Sequence, residues 1–525
     1  MTRIGAAIAA VITSIAALLG AGAPPRASLT ASPPCHATNW ASFGNGITRT
    51  FASPDTCITK RNAPLLRPKW FFNAKSPVTG QPAVVDGIVY FGTYRGNFHA
   101  VRADTGKAAW PAPFPAQDYD HEVVDFGVTP GSPTVATIDG RKLVIFPGGA
   151  TLFALDAMTG ALVDKLCLDR VDTTCMGKAG FTTEVETSPA VVLAPDAKSA
   201  QVLVGLDVNE HSPAGPAGMI SLKLDRDGFH PDWWFDPEAG ETYRGLAPTM
   251  SMDNLIRNGC NDVWSSAAVD LSTNTVSFGT RNCPHPERVR RAPGVTLPEL
   301  TEGIVGVDLT TGAFRWQNRS RPAAEGFGLD LDYGATPNVL APGIVAEGGK
   351  DGLVTVTNAN TGALVWRTQV ASGSDIGGII ASTAVGKFSN GHQAVFADSA
   401  IPFHTRIPRD SINHNVRHPL HILGVHAIDI TSRFVKWHAA VGPSYGAPVF
   451  GNGLLFVPDT FTDSLVVLDA NTGVPLRVQP LNVPPAGPPA ISGNSVYMGA
   501  GISENIQGLE KLAYLGGVWA FTTVP

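Results

Sequence analysis

Two carboxylates two residues apart, Asp330 and Asp332 in the segment LDLDYGATPN, are the most chemically suggestive spacing in this chain. On an extended segment that spacing puts both on one side, where they repel each other unless a cation lies between them. The competing reading is a turn in which both carboxylates bond local backbone. The cysteines narrow the chemistry further. Six of them fall as three close pairs, Cys35 with Cys57, Cys167 with Cys175 and Cys260 with Cys283. No pair has the two-residue spacing of a zinc knuckle, and no Cys-x-x-Cys-His is present, so the sequence predicts no covalently held haem. Disulfides are the better reading in an exported chain; the nearest-neighbour pairing rests on loop length alone. A further segment, IPFHTRIPRDSINHNVRHPLH from Ile401 to His421, is rich in His and Arg. It reads either as a lid over a site or as a solvated loop.

The elements that must position such groups are short strands. The chain has 525 residues, 44% apolar and 16% charged, enough to bury a large core and unlike a disordered protein. Its formal net charge of -6 lacks the basic footprint of a nucleic-acid binder, so nucleic acid is not an expected partner. Arg3 precedes an apolar stretch from Ile4 to Leu19, and small residues and then Pro24 and Pro25 follow. This reads as a secretory signal over residues 1–27, with an uncleaved anchor as the alternative, and no later stretch resembles a membrane span. The expected location is secreted, periplasmic or associated with the cell envelope.

From Val84 to Trp110 the sequence VVDGIVYFGTYRGNFHAVRADTGKAAW gives three alternating apolar strands punctuated by glycine turns. Its closing phrase is an apolar strand, an acidic residue, Thr-Gly, and a strand ending in an aromatic. The phrase returns from Leu152, Ile304, Leu353, Val425 and Leu465, with a weaker copy from Ile220 and half a copy from Gly517. The strand PKWFFN from Pro68 has no preceding Thr-Gly turn, so it can pair beside Val518–Phe521 and complete the last unit. Residues 28–525 are thus expected to form one all-β propeller of eight blades, with seven as the alternative, closed so that no sheet edge stays open.

The repeated Asp-Thr-Gly-x-x-x-Trp ending resembles the tryptophan-docking motif of the pyrroloquinoline-quinone propellers, the quinoprotein alcohol dehydrogenase-like family. The likeness is strongest toward polyvinyl-alcohol dehydrogenase-like proteins. DVWSSAAVDLSTNTVSFGTRN from Asp262 resembles the family stretch in which a tryptophan floors the quinone and an asparagine ligates the metal, which puts those roles on Trp264 and Asn282. The resemblance likewise implies Asp332 as catalytic base and metal ligand, Asp330 as the additional metal-binding aspartate of lanthanide users, and Glu210 as the metal-binding glutamate. It puts Lys350, in VAEGGKDGLVTV, at the quinone carbonyls. A flat indole can stack on a flat cofactor, and carboxylate and amide oxygens suit calcium or a lanthanide ion. The implied reaction is metal-assisted hydride transfer from a small-molecule or polymeric alcohol to the quinone, with electrons leaving to a separate acceptor.

Three departures from the family pattern support a second reading. The chain has no adjacent cysteine pair, the segment HEVVDFGVTPGSPTVA from His121 offers no quinone-binding arginine, and Ile380-Ala381 stands where relatives carry Trp-Gly. The alternative is a non-catalytic propeller serving as a binding or assembly scaffold, since the blade repeat alone identifies only the fold. A glycosidase propeller fits less well, because Asp330 and Asp332 are too close to act from opposite faces of a sugar.

Overall fold

A computed structural model describes residues 35–120, 127–176, 183–208, 216–250, 260–283, 300–320, 331–373, 378–399, 424–442, 444–460, 462–485, 487–501 and 515–524. Residues 1–27, expected to be a signal, and the His- and Arg-rich stretch 401–421 lie outside the described residues. The compact body His36–Pro525 is almost entirely β. Helix among the described residues is limited to the single turns Phe43–Asn45, Ala63–Leu65 and Ala116–Asp118. No helix of the described residues is long and apolar enough to cross a membrane.

The alternating strands assemble into eight sheets, and we number them as blades in chain order. Blade one spans Ala83–Val85 to Phe114–Pro115, and blade two Thr134–Ile138 to Leu162–Cys167. Blade three is widened to six strands by Thr183–Glu184 and Glu241–Arg244, an enlargement that the repeat pattern does not announce. Blade four runs from Ala268–Asp270 to Phe314–Arg319, and blade five from Asn338–Ala341 to Leu364–Gln369. Blade six runs from Ala384–Lys387 to Phe434–Ala439, and blade seven from Val449–Gly451 to Pro475–Pro480. Blade eight joins Ala490–Ser492, Ser495–Ala500 and Gly517–Thr522 to the N-terminal strand Arg67–Asn73, in the register Phe71 to Trp519 and Phe72 to Val518. The ring therefore closes as the sequence predicts, with eight blades rather than seven.

The repeat phrase has a physical purpose at the joints between blades. Each Thr-Gly turn needs a residue at positive φ, and the glycine also leaves room for an indole from the blade before. Gly106, Gly160, Gly312, Gly362 and Gly473 have φ between +68° and +75°, and a Cβ on any of them would run into Trp70, Trp110, Trp233, Trp316 or Trp437 respectively. The same indoles donate Nε1–H to the carbonyls of Ala103, Ala157, Leu309, Ala359 and Ala470, at 2.8–3.2 Å. Blade two lacks this tryptophan, and Asp164 takes its place by accepting from the Phe229 N–H at 2.6 Å. Between the blades, apolar strand faces form the core: Leu203 and Met219 pack with Val269 and Val305, and Val354 and Val356 with Val385 and Val395.

Inside the ring runs an irregular belt from Thr38 to Ser53. Trp40 exchanges both backbone hydrogen bonds with Val84 of blade one, and Ala41 accepts from Val135 of blade two. Ile47, Thr48, Thr50 and Phe51 accept from Val269, Val339, Val385 and Phe450, the innermost strands of blades four to seven. Thr38 accepts from the Ser492 hydroxyl of blade eight, and Ala52–Ser53 add a parallel strand to blade seven. Arg49 reaches blade three. Its fully buried guanidinium donates to the carbonyls of Ser188, Ala267 and Phe43 at 2.9, 2.9 and 2.6 Å. A planar fork of donors can serve three carbonyls at once, whereas an ammonium offers a point charge.

Arg49→Ala is expected to strand those three buried acceptors and to cost about 3 kcal/mol or more. Arg49→Lys should recover only part of that loss. Urea unfolding followed by tryptophan fluorescence measures both.

Candidate active site in the axial loops

Strands that alternate in direction bring the loops leading into each innermost strand, and those leaving each second strand, to one end of the ring. Trp264 lies on the loop before Ala268–Asp270, and Asn282 follows Thr275–Gly279. Asp332 lies before Asn338–Ala341, and Lys350 follows Ile344–Gly348. Four residues separated by up to 86 positions thus come from adjacent blades four and five. Cys260 and Cys283 are disulfide-bonded, which ties the loop bearing Trp264 to the residue after Asn282. Cys167 and Cys175 are bonded as expected at an S–S distance of 2.06 Å, and no cysteine of the described residues is free.

Asp332 is the hub. Its carboxylate is 2% exposed; Oδ1 accepts from the Asn282 N–H at 2.7 Å and Oδ2 from Lys350 Nζ at 3.1 Å. The Lys350 N–H also donates to the Asp332 carbonyl at 2.9 Å, so the lysine grips the aspartate segment twice. Burial alone would raise the Asp332 pKa, but the charges of Lys350 and Arg281 and the bond from Asn282 outweigh it and hold the carboxyl below its usual range. It is therefore an anion at neutral pH. Lys350 Nζ also stands over the indole of Trp264, 5.5 Å from its centroid. That indole rests on Gly334, where any Cβ would collide with the ring.

Asn282 supplies the clearest sign of a missing partner. The side chain is 7% exposed, and its Oδ1 has no hydrogen-bond partner. Buried amide oxygens are seldom left unpaired, and an amide oxygen beside a carboxylate is a fit donor for a hard cation. Trp264, Asn282, Asp332 and Lys350 are brought together as the sequence implies. Glu210 and Asp330, the other two expected metal ligands, lie outside the described residues, as do residues 121–126 of the segment HEVVDFGVTPGSPTVA.

A second charged group was not anticipated from the sequence. Arg281, directly before Asn282, is nearly buried and donates to the Val208 carbonyl at 2.9 Å. Its Nη1 lies 3.6 Å from Asp207 Oδ1 and 3.8 Å from Asp262 Oδ2. Glu184 and Glu186 add carboxylate oxygens within 4.8 Å of one another and of Asp207. Burial, followed by neighbouring carboxylates, raises Glu186 and Asp262 well above the usual range. Burial pushes Asp207 up to about 6 even though Arg281 opposes it. Among the described residues, the Arg281 guanidinium therefore offsets several crowded acids next to Asp332. The available signal was the phrase TRN itself, a charged residue at the mouth of a strand that is otherwise apolar and small.

Arg281→Met should leave Asp207 and Asp262 uncompensated and cost about 3–5 kcal/mol at neutral pH. These carboxyls have folded-state pKa values above their unfolded ones, so they cost stability as pH rises between the two. Without the Arg281 charge that opposes burial, Asp207 rises above its wild-type value of about 6, so the extra loss in the variant should be small below about pH 6, where the carboxyl is protonated in both folded proteins, and grow as pH rises past it. Chemical denaturation of both proteins across that interval tests the sign.

Comparisons with known proteins bear on the fold and family of the propeller. Residues 40–371 match a family model described as the glucose/ethanol/alcohol dehydrogenase β-propeller domain, of the PQQ type. A polyvinylalcohol dehydrogenase from a Pseudomonas species is 23% identical over 381 residues, covering 65% of this chain and 52% of that protein. A quinohemoprotein alcohol dehydrogenase from Comamonas testosteroni is 28% identical over 324 residues, covering 58% and 41%. The chain spans about half the length of the curated relatives it matches. Among solved structures, the quinohemoprotein alcohol dehydrogenase ADHIIG from Pseudomonas putida HK5 superposes with a TM-score of 0.65 at 17% identity, over 92% of this chain and 80% of that one. At that identity the likeness speaks to the fold.

Proposed function

Since this chain belongs to the PQQ-type β-propeller family of glucose, ethanol and alcohol dehydrogenases, we propose that it is an exported quinone-dependent oxidoreductase acting on an alcohol. The observation that carries this reading is the Asp332 carboxylate, buried, anionic and held by Asn282 and Lys350 beside a tryptophan face and an unpaired amide oxygen. When bound, pyrroloquinoline quinone would accept the hydride equivalent, with calcium or a lanthanide polarising it.

The chain's own residues supply the rest. Trp264 offers an indole face for a flat ring, and Gly334 behind it, having no Cβ, leaves the room that indole occupies. Asn282 Oδ1 and Asp332 are the described oxygen donors for the cation; Glu210 and Asp330 are proposed to complete the set. Asp332 takes the hydroxyl proton of the alcohol, since it alone of the four is a buried anion. Lys350 sits within hydrogen-bond reach of that carboxylate and meets negative charge developing beside it. Burial of both groups keeps bulk water from competing for the proton.

Residues 1–27 are proposed as the export signal and 28–525 as the mature propeller, located in the periplasm or cell envelope. The disulfide-bonded cysteines suit that oxidising compartment. Electrons are proposed to pass to a separate acceptor.

Purified full-length protein reconstituted with the quinone and calcium or a lanthanide should reduce an artificial dye when given an alcohol. Asp332→Asn should lower kcat by at least ~100-fold, the scale of a lost general base. Absence of quinone binding with every metal tried would favour the scaffold reading, for which a cross-linked protein partner would be the positive sign.

A further inference from the structure

Behind the Asp332–Lys350 pair, a second contact joins the same two segments one residue further along. The Tyr333 hydroxyl donates to Asp351 Oδ2 at 2.9 Å, with the two residues 1% and 2% exposed. Tyr333 is seated against Ile304 and Trp316 of blade four. Asp351 Oδ1 accepts from the Leu353 N–H at 3.0 Å, which fixes the carboxylate to the turn that enters Leu353–Asn358. Gly349 lies where the two meet. A Cβ there would stand 2.7 Å from Asp351 Oδ1 and 3.0 Å from Tyr333 Cζ, so the missing side chain is what lets the phenol reach the carboxylate.

Glu347 completes the surroundings. It is wholly buried opposite Thr355, and neither of its carboxyl oxygens has a hydrogen-bond partner. Burial, and then the charge of Asp351, raise it well above the usual carboxylate range. Glu347 is thus held toward its neutral form beside the Tyr333–Asp351 bond.

Two successive residues, Asp332 and Tyr333, therefore anchor their segment onto two successive residues of the other, Lys350 and Asp351. The backbone bond from Lys350 to the Asp332 carbonyl sets the separation of the segments, and the Tyr333 N–H donates to the Thr280 carbonyl at 3.2 Å. The Tyr333–Asp351 bond adds a side-chain tie between the two segments, immediately beside the catalytic pair. A lysine stem is flexible, and catalytic groups lose much of their effect when misplaced by about 1 Å.

We propose that Tyr333 and Asp351 are positioning residues that hold the Asp332 carboxylate and the Lys350 ammonium in register for proton transfer from the alcohol. This rests on the reading of Asp332 as base given above. The step they support moves the hydroxyl proton to Asp332 and requires no further oxidant or reductant.

The test compares wild type, Tyr333→Phe, Asp351→Ala, Asp351→Asn and Asp332→Asn. In quinone-free protein at fixed pH, the rate at which an amine-reactive acylating reagent modifies Lys350 is followed by mass spectrometry, with exposed Lys387 as internal reference. Tyr333→Phe and Asp351→Ala should each raise that rate about 3–10-fold, as freed lysines do, while Asp351→Asn, which keeps an acceptor oxygen, stays within about twofold of wild type. In reconstituted protein the first two should lose about tenfold in kcat with KM nearly unchanged, the mark of an interaction needed in the transition state. Wild-type labelling in both Tyr333→Phe and Asp351→Ala, while Asp332→Asn labels fast, would overturn the proposal. Should every protein, wild type included, fail to turn over, the reading of Asp332 as base is what fails, and the labelling rates still decide whether the brace exists.

Discussion

Closure of the ring by the strand Arg67–Asn73 is the constraint on which everything else in this molecule depends. Without it, Gly517–Thr522 would present an open edge, and blade eight would lack the strand that carries Trp70. Trp70 in turn covers the Gly106 turn of blade one, so the joint between the last and first blades is built like the others around the ring. A belt from Thr38 to Ser53 adds a second closure from inside, hydrogen-bonding to successive innermost strands. Both closures come from the same N-terminal stretch. The chain must therefore complete its last blade before its first segment is fully satisfied, a long-range requirement typical of slow β topologies.

The closed ring makes the site by placing loops of blades four and five side by side. What the fold must then manage is charge. Asp332, Asp207, Asp262, Glu184 and Glu186 crowd the axial end, with Arg281 and Lys350 as the described cations among them. The two cations act differently. Arg281 is enclosed by acids and a backbone carbonyl and compensates the group as a fixed fork, while Lys350 faces Asp332 and the Trp264 ring. This division leaves Asp332 ionised although its neighbours are pushed toward neutrality. An anion of that kind beside an unpaired Asn282 oxygen is a place where a cation would be welcome.

The parts of this arrangement that repeat were legible in the sequence. The Thr-Gly-x-x-x-Trp phrase carries its own physics, a positive φ and an indole that needs a glycine beneath it, so it recurs visibly. PKWFFN announced itself as the missing strand because it was a strand without a turn before it. Trp264, Asn282, Asp332 and Lys350 were found through resemblance in local segments, and the structure brings them together. The belt was not legible, because it uses backbone carbonyls of an irregular segment and has no period. Arg281 was missed because its partners lie 19 and 74 residues away and meet it only through the ring. Asp164 was missed for the opposite reason: it does a tryptophan's task with unrelated chemistry.

The central claim is that Trp264, Asn282, Asp332 and Lys350 form a seat for a planar quinone and a hard cation. The most direct measurement is a titration of the purified protein with pyrroloquinoline quinone in the presence of calcium or a lanthanide, following tryptophan fluorescence and the quinone absorbance together. The account predicts saturable, metal-dependent quenching with an absorbance change, both lost in Trp264→Leu and weakened in Asn282→Ala. Quenching that never saturates with either metal, or that persists unchanged in Trp264→Leu, would contradict it.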